Sequence, residues 1–224
     1  MTFFVVSRVT FLLFYVIRSK SVEKSVMLTI NSSEYMHTQS RYHKTNDQLL
    51  EENTYVEASK KDPARFEYLY NKYHEQIFRY VWQRMDDKDL AFDVTSQVFM
   101  KALANIHKYQ FRGVPFASWL YRIAKSEVYQ SFKEKKAKRT VNIETSQVYE
   151  IIEELEEDCN EALKEELIRR IAELPEQDLQ LIELRFFEKH SYREIGEIMD
   201  LTENNAKVRA YRVLKKLQKQ FQTE

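Results

Sequence analysis

Two clusters of cations set the chemistry open to this sequence. The first lies between Ile106 and Arg139. There a loop carrying Lys108, Tyr109, Phe111, Arg112 and Gly113 leads into a helical pattern bearing Arg122, Lys125, Ser126 and Tyr129. That pattern runs out in Lys133, Lys135, Lys136, Lys138 and Arg139. The second cluster, Lys207 to Lys219, holds six cations and no acid. Rings interleaved with cations suit a nucleic acid, because bases stack on aromatic faces while cations neutralise phosphates. The same pattern also fits a buried aromatic helix with a solvated basic end, so the first cluster alone leaves both readings open.

Other chemistries find little support. His37, His43, His74, His107 and His190 show no metal-ligand spacing, and no phosphate-binding glycine loop or nucleophile elbow is present. The sequence therefore points to no catalytic residue, metal, cofactor or small-molecule substrate, and argues against an enzyme. The lone cysteine, Cys159, excludes an internal disulfide and fits a reduced, cytoplasmic chain. Asp158 and Glu157 beside it are expected to disfavour a reactive thiolate.

The formal net charge is zero, but the charge is segregated. Arg122 to Arg139 holds seven Lys/Arg against Glu127 and Glu134, whereas Glu144 to Glu166 holds ten carboxylates against Lys164. A polyanion meets local patches rather than the sum, so neutrality does not exclude nucleic acid.

Long helices must position these residues. With only 2 glycines and 3 prolines in 224 residues, the composition disfavours sheets joined by tight turns. The expected fold is all-α: two small helical domains joined by an acidic linker, the second a helix-turn-helix domain. Residues 1–53 read as an extension. Phe3 to Ile17 is apolar but interrupted by Arg8, and is short of the roughly 20 residues a membrane span needs. It reads either as a membrane-associating anchor or, preferred here, as an upstream start, with Met27 or Met36 beginning the protein. Residues 28–53 are polar, unperiodic and expected to be loosely ordered.

The first domain is expected over 54–139. Asp62 caps a turn opened by Pro63. Phe66, Leu69, Tyr70, Tyr73, Ile77, Tyr80 and Val81 form one stripe, and Leu90, Val94, Val98, Ala102, Leu103 and Ile106 a second. Asp93, Ser96 and Gln97 stand on the other face of that second helix, with Phe99 at its edge. Phe116, Trp119, Leu120, Ile123 and Ala124 give the third helix an apolar stripe that leaves Tyr121 outside. Residues 140–160 form the linker, largely solvated, with Ile151, Ile152 and Leu155 able to support a short helix. It is either an inert spacer or a set of carboxylates that imitate a phosphate backbone or hold the basic surfaces apart.

The last domain spans 161–224. Leu163, Leu167, Ile168, Ile171 and Leu174 face one way, and Pro175 starts a helix with Leu179, Ile182, Leu184 and Phe186. Ser191 and Glu194 make a capping box, Asp200-Leu201 a turn, and Thr202 a second cap. Ala206, Ala210, Val213, Leu214 and Leu217 point inward, while Asn205, Lys207, Val208, Arg209, Arg212, Lys215 and Lys216 remain outside. Two short helices joined by a tight turn, the second basic, define a helix-turn-helix whose second helix suits the major groove. Asn can pair with adenine and Arg with guanine, while the later lysines reach phosphate.

Two stretches together resemble one family, the bacterial RNA polymerase sigma factors of the short two-domain extracytoplasmic-function type. AFDVTSQVF resembles the family's polymerase-binding helix, and FASWLYRIAKS its promoter-melting and −10-reading helix. The run from LPEQDLQLIELRFF to YRVLKKL is similar to the domain that reads the −35 element. The resemblance covers about Asp62 to Leu217. It implies polymerase contact by Asp93, Gln97 and Phe99, and −10 binding and melting by Lys108, Tyr109, Phe111, Arg112, Arg122, Lys125 and Ser126. It implies −35 binding by Asn204, Asn205, Lys207, Val208, Arg209, Arg212 and Lys215. The partners it implies are core polymerase and promoter DNA, with an anti-sigma factor as a further one. The setting it implies is cytoplasmic and nucleoid-associated. Ser126 stands where the family often has asparagine, Gly196 replaces a usual alanine, Asp200 a turn glycine, and Asn204-Asn205-Ala206 a small–Thr–Val run. The competing readings are a stand-alone helix-turn-helix regulator that never touches polymerase, and a membrane-tethered adaptor resting on Phe3 to Ile17.

Overall fold

A computed structural model describes residues 45–135, 145–154 and 161–221, and every described regular element is helical. Thr45 opens the first helix, α1 (Asn46–Lys61), through a reciprocal capping box with Gln48. Residues 46–53 are thus helical, where the sequence suggests loose order. The reason lies in tertiary packing. The buried positions of α1 are Leu49, Glu52, Val56 and Ser59, a helical stripe in which two of the members are polar. Apolar periodicity cannot detect such a face.

Asp62 accepts a hydrogen bond from the Ala64 amide at 3.0 Å and caps a 3₁₀ turn, Pro63–Phe66. Next comes α2 (Glu67–Trp82). Asp87 accepts from the Asp89 and Leu90 amides to start α3 (Lys88–Asn105). A second 3₁₀ turn, Ile106–Lys108, leads to the loop that precedes α4 (Phe116–Lys135). The stripes expected on α2, α3 and α4 all reach the core.

Within the linker, α5 (Thr145–Glu154) is packed rather than solvated. Val148, Ile151 and Ile152 are buried, and Glu150 pairs with Lys189. In the last domain α6 (Glu161–Ala172) is followed by α7 (Glu176–Ile182), which widens into a π-type turn at Glu183–Phe187. The two helix-turn-helix elements are α8 (Tyr192–Met199) and α9 (Glu203–Phe221). Both expected caps are present. The Ser191 hydroxyl accepts from the Glu194 amide at 3.3 Å while Glu194 accepts from the Ser191 amide at 2.7 Å. The Thr202 hydroxyl accepts from the Asn205 amide at 3.2 Å. Asp200 takes the left-handed conformation at φ 59°, which a short polar side chain tolerates better than most.

Gly196 has a specific reason to lack a side chain. A Cβ there would lie 2.7 Å from the Leu201 carbonyl oxygen, so the turn closes directly over it. Among the described residues no helix is long and apolar enough to cross a membrane. The Phe3 to Ile17 segment, Cys159 and the basic run from Lys136 to Arg139 lie outside the described residues.

The two domains do not stand apart. Their apolar residues form one connected core, and α8 packs against α4. This contact changes the environment of several residues that the sequence places on the surface.

Candidate nucleic-acid interface

The loop from Lys108 to Val114 is held from below by Glu52 of α1. The Glu52 carboxylate accepts from the Phe116 amide at 2.7 Å, from the Tyr73 hydroxyl, and from the Lys72 ammonium at 2.8 Å. A carboxylate at a helix N-terminus satisfies an orphan amide and meets the positive end of the helix dipole. Burial and the adjacent Glu52 charge both push the Tyr73 hydroxyl far above the ordinary tyrosine range. Lys60 reaches the loop from the same side, donating to the Tyr109 carbonyl at 3.0 Å. The acidic residue that seats this loop thus comes from a helix the sequence did not show.

Tyr109 is not available for base stacking. It is buried, with its ring edge-on to Phe116 and Trp119 at centroid distances of 5.1 and 5.4 Å. Burial raises its hydroxyl well above the usual range. Of the two loop rings expected to stack on bases, Phe111 is the exposed one. Gly113 adopts φ +68°, and a Cβ there would collide with the Arg193 guanidinium. Lys108, Arg112, Arg122 and Ser126 are exposed and Lys125 is half-buried. Trp119, expected in the core, is only partly buried. With Tyr109, Arg112, Arg122 and Glu197 it lines a pocket of about 110 Å³.

Phe99 also departs from expectation. It is completely buried, between Phe66 at 6.4 Å and Tyr70 at 4.9 Å, and cannot touch a partner directly. Asp93 and Gln97 are exposed on the outer face of α3 as expected. Phe92, off the apolar stripe of α3, stands exposed beside Asp93. Its ring stacks on Phe78 at 4.2 Å, and Phe78 stacks on exposed Trp82. Aromatic residues four apart on α2, met by one from α3, are the signal that would have found this patch.

Tyr121 also lies inside. Off the apolar stripe and expected outside, it is fully buried because α4 is covered by α3 on one side and α8 on another. Its hydroxyl donates to Glu188 at 2.6 Å, and burial together with that carboxylate raises it well above the ordinary range. Beside it Arg84 and Glu183 form an ion pair at 2.6 Å, both nearly inaccessible, with the Arg84 guanidinium over the Tyr80 ring. Burial disfavours charge on Arg84, but Glu183 more than offsets this and holds it protonated. Toward solvent, Arg112 pairs with Glu197 at 3.1 Å and Arg122 with Asp200.

The recognition helix is open along its expected face. Asn204, Asn205, Lys207, Val208, Arg212 and Lys215 are exposed, whereas Ala206, Ala210, Val213, Leu214 and Leu217 are buried. Arg209 is half-buried and donates through Nε to Asp178 of α7 at 2.8 Å, so it is engaged within the domain. No group of His, Cys, Asp and Glu suited to a metal occurs among the described residues.

A four-helix unit with an aromatic, cation-lined loop, joined to a helix-turn-helix, gives a two-domain helical protein with the make-up of a DNA-binding class. Comparisons with known proteins make the class specific. Sigma-70 region 2 matches residues 69–138 and sigma-70 region 4 matches residues 164–217. The ECF RNA polymerase sigma factor BldN of Streptomyces coelicolor is 29% identical over 151 residues, covering 66% of this chain and 57% of that protein. SigM of Bacillus subtilis, also an ECF sigma factor, is 25% identical over 66% of this chain and 90% of its own length. For SigW of the same organism the figures are 25%, 74% and 93%. A chain of a solved RsbN–BldN complex aligns at 23% identity over 73% of this chain and 96% of that one, with a TM-score of 0.32, too low to bear on domain arrangement. The chain belongs to the sigma-70 family and is of its extracytoplasmic-function type.

Proposed function

We propose that this chain binds core RNA polymerase, recognises −35 and −10 promoter elements and opens the DNA to start transcription. The observation that carries the reading is the presence of regions 2 and 4, in that order, on one chain. Asp93 and Gln97 offer the polymerase-facing surface, with exposed Phe92 beside them and buried Phe99 shaping the helix from behind. Asn204, Asn205, Lys207 and Val208 enter the −35 major groove, and Arg212 and Lys215 meet phosphate. Lys108, Arg112, Arg122 and Lys125 hold the non-template strand at −10, with Ser126 lining its path. Unstacking a base costs a few kcal/mol, and stacking on Phe111 returns roughly 1–3 kcal/mol. Residues 54–139 and 161–224 act as the working units, with α1 completing the first and 140–160 joining them. The role is regulatory, needs no catalytic residue, and places the protein at the nucleoid; an anti-sigma factor is the natural further partner.

The test is run-off transcription with purified core polymerase on genomic templates, with and without the protein. New start sites that vanish in Asp93→Ala are expected. Their absence refutes the reading, and new starts unaffected by Asp93→Ala remove Asp93 from the polymerase contact. A stand-alone regulator gives the outer face of α3 no function, and region 2 over residues 69–138 is unexplained by it.

A further inference from the structure

We propose that the docked domains form a closed state in which α8 of the helix-turn-helix blocks the −10 site of its own chain while leaving the −35 helix open. This rests on the reading of the loop and α4 as strand-binding.

The contacts at the loop come from the other domain. Glu197 forms one wall of the pocket and pairs with Arg112 at 3.1 Å, while Asp200 pairs with Arg122. Arg193 donates to the Arg112 carbonyl at 3.2 Å and lies against Gly113. Two cations suited to a strand's phosphates are therefore answered by protein carboxylates, and the backbone beside them is covered. By contrast, Asn204, Asn205 and Lys207 on α9 face solvent.

The surface beneath is built to separate. It joins a basic face, Arg79 and Arg84, to an acidic one, Glu183 and Glu188. Charged groups at a permanent core are costly, but on two surfaces that part they regain water. Among the described residues, Glu188 Oε1 and His190 Nε2 are buried without a hydrogen-bond partner. Each gains one when the domains part, so opening is favoured by the same groups that close it imperfectly.

Two full-length variants test this. Glu197→Gln/Asp200→Asn removes both outer pairs while keeping side-chain size and a residue that tolerates the turn conformation. Tyr121→Phe opens the buried side without changing charge, by leaving Glu188 without its hydroxyl donor. Small-angle scattering gives the radius of gyration, and fluorescence anisotropy the affinity for a labelled single-stranded −10 oligonucleotide and for a −35 duplex. Both variants are expected to expand and to bind the single strand about tenfold more tightly, with duplex affinity unchanged. Unchanged dimensions, or expansion with unchanged strand affinity, overturn the proposal. Tightening confined to the carboxylate variant, without expansion, reports only lost negative charge and overturns it too. Expansion of both variants, when neither they nor the wild type binds strand or core polymerase, supports the interdomain lock and refutes the strand-binding reading instead.

Discussion

Glu52 is the residue whose removal tests the architecture most directly. Its carboxylate is buried and receives the Phe116 amide, the Tyr73 hydroxyl and the Lys72 ammonium. Glu52→Gln keeps the shape and one acceptor oxygen but gives up the charge. Charge-assisted hydrogen bonds contribute about 1.5–3 kcal/mol, and an anion at a helix N-terminus about 0.3–1 kcal/mol, so the loss should be about 2–3 kcal/mol. Glu52→Ala also leaves the Phe116 amide and Tyr73 hydroxyl buried without this acceptor and opens a void, raising the loss to about 4 kcal/mol. The protein has 2 tryptophans, Trp82 and Trp119, both in the first domain, so urea unfolding followed by tryptophan emission reports this domain. Alanine should be worse than glutamine, and glutamine clearly worse than wild type. If both variants fall within about 0.5 kcal/mol of wild type, the seating of the loop from Lys108 to Val114 by α1 is refuted.

Other outcomes follow from the same structure. Phe111→Ala should bind core polymerase normally but open promoters poorly, by about 1–3 kcal/mol; permanganate footprinting reads this, and opening as in wild type would refute Phe111 as the stacking ring. Asn205→Ala should relax base preference at one −35 position by about 1–3 kcal/mol, while Lys215→Ala should weaken all duplexes alike and lower the salt slope by about 1, as titrations over a series of salt concentrations would show. Gly196→Ala should lower thermal stability by about 1–2 kcal/mol, since the clash with the Leu201 carbonyl outweighs a helix-propensity gain of about 1 kcal/mol; a raised melting temperature would contradict this. Burial pushes the Glu194 carboxyl up, but His190 and the Ser191 amide and hydroxyl more than offset this and hold it below the usual carboxylate range. Its stabilising contribution is therefore full above the unfolded value, about 4.3, and is lost as pH falls through the lower folded value. Urea midpoints measured from pH 7 to pH 3 should fall more steeply for wild type than for Glu194→Gln, and parallel curves would dismiss the effect.

What was legible from residue order was local. Asp62, Ser191 and Thr202 cap helices through atoms two or three residues away, so their roles can be read without the fold. The stripes on α2, α3 and α9 follow from helical periodicity, and with the caps they gave the helix-turn-helix and its outward residues. Tertiary structure decided what a single stripe cannot. A helix packed on one side buries one arc, but α3 and α4 are covered on more than one side, which sends Phe99 and Tyr121 inside. The stripe of α1 runs through Glu52 and Ser59, whose burial is stabilised by hydrogen bonds to residues distant in sequence or to the backbone, so hydrophobicity gave no signal. The docking of α8 on the loop before α4 is likewise invisible in the chain, because the charges of Arg112 and Glu197 reveal nothing of each other until folding brings them within 3.1 Å.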